Sequence, residues 1–265
     1  MRLDLSLSLS SMAMRRPRAP SYDADALALF AAMSVQPDAT RKKLISDTIV
    51  NLKDTGAWSL KDILYATAAH HTQASRLNWK DPSQYMLTPQ NAPVFTVDRG
   101  WQGDGATSYL GSGFLPATNG ANWTVNDASI WMWTTTNSSD ANPDIGAGTA
   151  FVTALVARNG SGSIEGISNR VGTTLSGAVA SSVGLSGVQR RASGDERIWK
   201  NGVQIASGTA AASGRPSGEF RICGRSPGSF GTRQISFASA GASLIDKEAA
   251  FHSAINTYMQ AVGAA

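Results

Sequence analysis

Few places in this 265-residue chain combine residue types that could do chemistry. Gly224-Arg225-Ser226-Pro227-Gly228 matches the G-x-S-x-G nucleophile elbow by its letters. That elbow takes an oxyanion donor from the backbone N–H after the serine, and Pro227 has no N–H to give. The stretch reads instead as a turn between strands. His70 and His71 are adjacent, whereas paired metal ligands on a helix stand four apart and helical neighbours point away from each other. His252 stands alone on what reads as the last helix. Asp140, Asn142 and Asp144 offer oxygen at alternate positions, a calcium-like pattern that lacks the spacing and terminal Glu of an EF-hand. An Asx-type loop explains the same residues. Glu165, Glu196 and Glu219 are scattered singly, while a glycoside hydrolase needs two carboxylates about 5–9.5 Å apart across the scissile bond. There is no phosphate-binding loop and no dinucleotide fingerprint; Gly103-Asp104-Gly105 is too short for either. The sequence points away from catalysis and implies no cofactor.

Trp131 and Trp133 are the remaining candidates. They share one parity on a strand and so face one side, with Ile130 and Met132 on the other. If that side is open, two indole rings can stack on sugar faces among Asn, Ser and Thr partners. The competing reading is a second buried layer beneath helices or a loop.

Composition frames these residues. Charged side chains make up 16% of the chain, below the roughly 25% of an ordinary globular domain. The deficit suits a turn-rich β protein with a hydroxyl-covered surface. The net charge is +4, and residues 1–20 carry four Arg against one Asp. A nucleic-acid binder would show a basic stripe along one element; only Arg15, Arg16 and Arg18 cluster, so no nucleic-acid partner is expected. The single cysteine, Cys223, excludes an intrachain disulfide. No stretch approaches the roughly 18 apolar residues of a membrane span, so no membrane insertion is expected. Met1–Ser11 makes a poor signal peptide, with Asp4 at the start of its apolar stretch.

The elements that must position these residues follow from periodicity. Leu3, Leu5, Leu7 and Leu9 alternate with Asp4, Ser6, Ser8 and Ser10, the period of a strand with one apolar face. Arg15, Arg16, Pro17, Arg18 and Pro20 then read as a stiff basic tether. Residues 1–21 are therefore expected to be an anchoring arm that adds a strand to a partner's sheet. Residues 22–78 read as a small three-helix domain. Its first helix is capped by Asp23, its second is opened by Pro37 and Asp38 and ended by Gly56, and its third is started by Ser59 and Asp62. Residues 79–94, with Pro82, Pro89 and Pro93, read as a linker. From 95 to 265 the period is two, with candidate strands at 128–136, 149–157, 164–171, 183–190, 196–200, 203–207, 219–224 and 234–239. Many short strands with turn signals predict an antiparallel β-sandwich. Asn201-Gly202 is its clearest hairpin turn, and a helix from Ser243 closes the chain. The fold class expected is α+β, mainly β.

Four stretches together resemble one known group: the alternating leader running into Asp23-Ala24-Asp25-Ala26; Gly56-Ala57-Trp58-Ser59-Leu60-Lys61-Asp62; Ala92-Pro93-Val94-Phe95-Thr96-Val97-Asp98-Arg99-Gly100 running into Gly103-Asp104-Gly105-Ala106-Thr107-Ser108-Tyr109-Leu110; and the Asn201-Gly202 hairpin with the ending Ala238 to Ala265. Over nearly the whole chain the sequence is similar to structural proteins of tailed phages that join a short helical domain to a concanavalin-like, LamG-type jelly roll. The resemblance implies a non-enzymatic virion component, a fibre, spike or decoration protein on tail or capsid, assembled in the host bacterial cytoplasm. It implies other virion proteins as partners through the arm, a homo-oligomer with a trimer as the expected number, and host surface polysaccharide as a ligand of the displayed domain. The alternatives are a host-glycan-binding adhesin of the same fold and a glycan-degrading enzyme.

Overall fold

The computed structural model describes residues 21–265. The anchoring arm, with Leu3, Leu5, Leu7, Leu9, Arg15, Arg16 and Arg18, lies outside the described residues.

Two helices come first. In α1 (Ala24–Ala32) the Asp23 carboxylate accepts the Asp25 N–H at 2.9 Å, and Ala26, Leu29 and Phe30 turn inward. Leu27 does not join them and is exposed. In α2 (Ala39–Asp54) Asp38 caps the Arg41 N–H at 2.7 Å, and Ile45, Ile49 and Leu52 form the buried face. Gly56 leaves the helix at φ +73°, the left-handed turn that glycine takes without a steric penalty.

The third expected helix is not there. A single 3₁₀ turn, Trp58–Leu60, leads into strand β1 (Lys61–Tyr65). Ile63, Leu64 and Tyr65 are all buried, which a strand packed on both faces satisfies and an amphipathic surface helix does not. Asp62 does not cap a helix; its carboxylate accepts the N–H groups of Asn122 and Trp123 at 2.8 and 2.9 Å. Residues 22–78 thus supply two helices and a strand of the sandwich. Within the expected linker, Leu87 is buried and β2 (Thr88–Gln90) pairs in a sheet.

The remaining elements are β3 (Val94–Thr96), β4 (Gly100–Gln102), β5 (Tyr109–Gly111), the single turn α3 (Pro116–Asn119), β6 (Ala128–Thr134), β7 (Ile145–Ala147), β8 (Val152–Val156), β9 (Ser163–Arg170), β10 (Leu175–Ala178), β11 (Gly184–Ala192), β12 (Asp195–Lys200), β13 (Val203–Gly208), β14 (Arg221–Ile222), β15 (Gly224–Arg225), β16 (Ser229–Phe230), β17 (Gln234–Gly241) and the closing helix α4 (Glu248–Ala261). The helix starts later than expected, because the Ser243 and Leu244 N–H groups bond Asp127 and Gln189 and hold that segment on the sheet. One sheet runs β13-β12-β11-β6-β17-β4-β3, with β1 also on β17; the other runs β10-β9-β8-β7-β14-β5-β2. All these pairings are antiparallel. The Asn201-Gly202 turn has φ +48° and +78°, the two positive values of a type I′ hairpin.

Two apolar layers result. Between the sheets lie Ile130, Met132, Val188, Ile198, Leu155 and Ile222; between the first sheet and α1, α2 and α4 lie Trp131, Trp133, Phe237, Phe251 and Tyr258. Among the described residues the molecule is a helix layer, a sheet covered by it, and a second sheet on which none of α1, α2 and α4 packs, although Ala154 and Ile167 on its outer side are buried by their surroundings. No described helix is long and apolar enough to cross a membrane.

Candidate functional site

The free face of the second sheet follows from strand register. Leu110, Ile222, Ile145 and Leu155 point into the core between the sheets. Their neighbours of opposite parity therefore point outward. Successive pairings align Thr88, Gly111, Arg221, Gly146, Ala154 and Ile167 into one row across six strands. Three of the six are Gly or Ala, which keep the face low on either side of Arg221.

At the β2–β5 end a cavity of about 440 Å³ is lined by Tyr85, Thr88, Gln90, Tyr109, Gly113 and Glu219, among others. The Arg221 guanidinium lies 3.8 Å from the centre of the Tyr109 ring, a cation–π stack. Arg221 Nε donates to Glu219 Oε1 at 3.0 Å, and the Gly113 N–H reaches Glu219 Oε2 at 3.4 Å. A Cβ at Gly111 would press on the Glu219 carboxylate, so that glycine makes its berth. The cleft offers a tyrosine ring, a mutually neutralised ion pair, an amide and hydroxyls. With the Tyr109 ring already packed against Arg221 and Phe230, this is equipment for holding a polyol by fixed hydrogen bonds.

Toward β8 and β9 a second cavity of about 290 Å³ has a mostly apolar lining that includes Pro143, Val152, Ala154, Ile167 and Val171, with Arg225 at its side.

The residues singled out in the sequence fall elsewhere. Trp131 and Trp133 are 0% and 3% exposed. They face the helices, which cover that side of β6 as a second core. The Trp131 ring packs edge-on against Phe251 with centroids 5.6 Å apart. Trp133 stacks on His252 and donates its indole N–H to the Ala264 carbonyl at 3.0 Å. Neither ring can stack on a sugar. Burial lowers the His252 pKa, as does Lys200 nearby.

Asp140, Asn142 and Asp144 do not converge on a cation. The Asp144 carboxylate is buried and holds the Arg233 guanidinium at 2.8 and 3.0 Å; burial raises its pKa to about 6 even so. Asp140 turns to Asn142 and Thr232. Among the described residues no three His, Cys, Asp or Glu side chains gather in a way that could hold a metal. Ser226 is 4% exposed, accepts the Gly148 N–H at 3.0 Å and donates to the Glu219 carbonyl at 2.9 Å, so it has no free nucleophile. His70 and His71 sit in the loop after β1, where His70 Nε2 bonds the Val35 carbonyl and His71 Nδ1 accepts the Gln73 N–H. Glu196 is buried between Arg170 and Arg190, and Glu165 bonds Asn159. Only Glu219, of the three carboxylates weighed, reaches the cleft.

Tyr85, Tyr109 and Arg221 were not legible as site residues, although Tyr109 lies within the Gly103–Leu110 stretch. That stretch acts as a turn. Asp104 Oδ1 accepts the N–H groups of Ala106, Thr107 and Ser108 at 2.8–2.9 Å, and these backbone bonds hold its carboxyl well below the usual range.

No family model and no curated protein matches the chain. Among solved structures it is similar to the Trypanosoma rangeli sialidase, at 12% identity and a TM-score of 0.51 over 82% of this chain and 40% of that one. It is equally similar to the botulinum neurotoxin serotype D binding domain, at 10% identity and a TM-score of 0.51 over 74% of this chain and 52% of that one. The receptor binding domain of botulinum neurotoxin D gives 11% identity and a TM-score of 0.50 over 75% and 54%. The chain thus spans between two fifths and about half the length of these structures. What it shares with them is a fold, an antiparallel β-sandwich of the kind expected from the alternating strands.

Proposed function

We propose that this chain is a non-enzymatic recognition module of a tailed-phage particle, displaying its free sheet face toward a surface glycan and held to the particle by its N-terminal arm. One observation carries the recognition role. Among the described residues, α1, α2 and α4 cover one outer face of the sandwich, while the other bears at its β2–β5 end a cleft lined by Tyr109 and Glu219, with Arg221 against both. Two of its structural neighbours are a receptor binding domain and a sialidase, which agrees with recognition. Hydrolysis finds less support, since Glu219 is bound to Arg221 and faces no second carboxylate in the cavity lining. The virion assignment rests on the resemblance and on the alternating leader.

Two experiments test this reading. On an array of bacterial surface polysaccharides the chain should bind a subset, and Tyr109→Ala should lose that binding with its melting temperature preserved. Binding that survives Tyr109→Ala would move the site off this face. Deleting residues 2–19 should leave a folded protein that is absent from purified particles; normal incorporation would remove the arm as anchor.

A further inference from the structure

The free face carries a cation that the cleft does not use. The side chain of Arg225, at the end of β15, lies against Gly148, the residue after β7, where a Cβ would collide with its guanidinium. Gly148 therefore makes the channel in which this side chain lies. Its hydrogen bonds go to uncharged oxygens, the Ser226 carbonyl at 3.1 Å and the Ser229 hydroxyl at 3.3 Å. No carboxylate among the described residues pairs with it. Burial alone lowers its pKa, with no acidic group opposing that.

On the same side of the molecule Arg221 is paired with Glu219 and Arg233 with Asp144, whereas Arg225, like Arg158 and Arg215, bonds only uncharged oxygens, and of these three Arg225 is the one that lines the apolar cavity. A half-buried guanidinium without a counter-charge is under-satisfied, because it has given up water without gaining an anion. It also borders the apolar cavity formed by Ala154, Ile167 and Val171. That cavity and the polar cleft lie on one face. The β8 and β5 residues of the row are three strand spacings apart, roughly 14 Å, more than a single sugar ring fills.

From this geometry we infer that the free face takes an extended acidic polysaccharide, with Tyr109 and the Glu219–Arg221 pair holding one residue through its hydroxyls and Arg225 receiving the carboxylate or sulfate of a residue further along the chain. The inference rests on the glycan reading above and adds the charge class and the length of the ligand. Guanidinium matches both anions by forked hydrogen bonds, so the experiment distinguishes them.

The test is titration of the full-length chain with polygalacturonate, dextran sulfate, carboxyl-reduced polygalacturonate and dextran, at low and high salt. At least one acidic polymer should bind about tenfold or more tightly than its uncharged counterpart, and high salt should shrink that preference. Whichever acidic polymer is preferred identifies the anion. Arg225→Gln should abolish the preference and leave residual neutral binding unchanged. Arg225→Lys should restore part of it, which a merely structural role would not predict. Equal affinity for charged and uncharged polymers, or a preference that survives Arg225→Gln, would overturn the charge assignment while leaving the glycan reading in place. Equally tight, Arg225-dependent binding of single-stranded DNA would show that the site takes phosphate backbones rather than sugars. No binding to either acidic polymer would overturn the charge assignment, and the glycan reading would stand or fall separately on the polysaccharide array. Oligosaccharides should gain affinity up to several residues; a monosaccharide that binds as well as the polymer would reject the extended site.

Discussion

The two outer faces of the sandwich are built from similar strands and do opposite things. On the covered sheet the residues that face outward are large and apolar. Trp131, Trp133, Leu185 and Phe237 stand there against α4 and the two N-terminal helices. On the other sheet the matching outward row is Thr88, Gly111, Arg221, Gly146, Ala154 and Ile167. Alternation alone gives each strand two faces, and which face meets water is decided by what packs on it. The aromatic residues that look most like a sugar platform are on the face committed to stability. The residues left for a ligand are a tyrosine, two arginines and a glutamate that are unremarkable along the chain.

Trp131→Ala should test this division hardest. It removes a fully buried indole from the helix–sheet layer, and a loss of about 3–5 kcal/mol is expected for such a truncation. A melting curve close to wild type would mean that the helices do not depend on this face. Gly187→Ala probes the same layer from below, because the Trp131 ring lies where a Gly187 Cβ would stand. Overpacking of this kind should destabilise by about 1–3 kcal/mol, and Trp131→Leu should relieve much of it in the double variant.

At the end of the covered sheet, Gly202→Val forces a β-branched residue into φ +78° and toward Ala249 and His252 of α4. A loss of about 1–3 kcal/mol is expected; an unchanged denaturation midpoint would show the turn tolerates other geometries.

The pH dependence of stability sharpens the comparison further. Under α4 on the covered sheet, Lys61 donates to Ser129 Oγ and the Ala242 carbonyl without a carboxylate contact. Burial lowers its pKa to about 7. Lys200 is lowered to about 7 as well, again mainly by burial. An unfolded lysine titrates near ~10.4. Between the two values the unfolded chain binds more protons, so stability should fall as pH drops toward 7 and rise as it climbs. Each lysine contributes about 1 kcal/mol per pH unit in that window. The buried Cys223 thiol has its pKa pushed up by burial. Above its unfolded value near ~8.5 it therefore acts in the opposite direction, which leaves pH 7 to about 8.5 as the clean range. Chemical denaturation across that range should show the rise, and Lys61→Met should roughly halve its slope, leaving the Lys200 contribution; a flat wild-type profile would mean the lysines are solvated.

The smallest expected effect completes the comparison. Tyr109→Ala on the free face should change stability by less than about 1 kcal/mol, as partly exposed positions usually do, while removing glycan binding. A large destabilisation would mean that this ring belongs to the core.

The sequence by itself determined most of the sandwich and little of the site. Period-two alternation placed strands 128–136, 164–171, 183–190, 196–200, 203–207 and 234–239 within a few residues of those observed. Asn201-Gly202, Asp23, Asp38 and Gly56 marked a turn, two helix starts and a helix end because each acts through its own backbone. Segment 61–65 was misread because Lys61-Asp62-Ile63-Leu64-Tyr65 suits either a helix or a doubly buried strand, and only its partner β17, some 175 residues away in sequence, decides between them. The same holds for the tryptophans. Their shared parity was readable, and the burial of their face depended on α4 folding back over β6. The cleft brings β2, β5 and β14 together from three distant stretches, and Arg225 lies against Gly148, the residue after β7, in a fourth. Such convergence is set by cross-strand register and by glycines that leave room. Local spacing carries no trace of it, so only the tertiary structure could assemble the site.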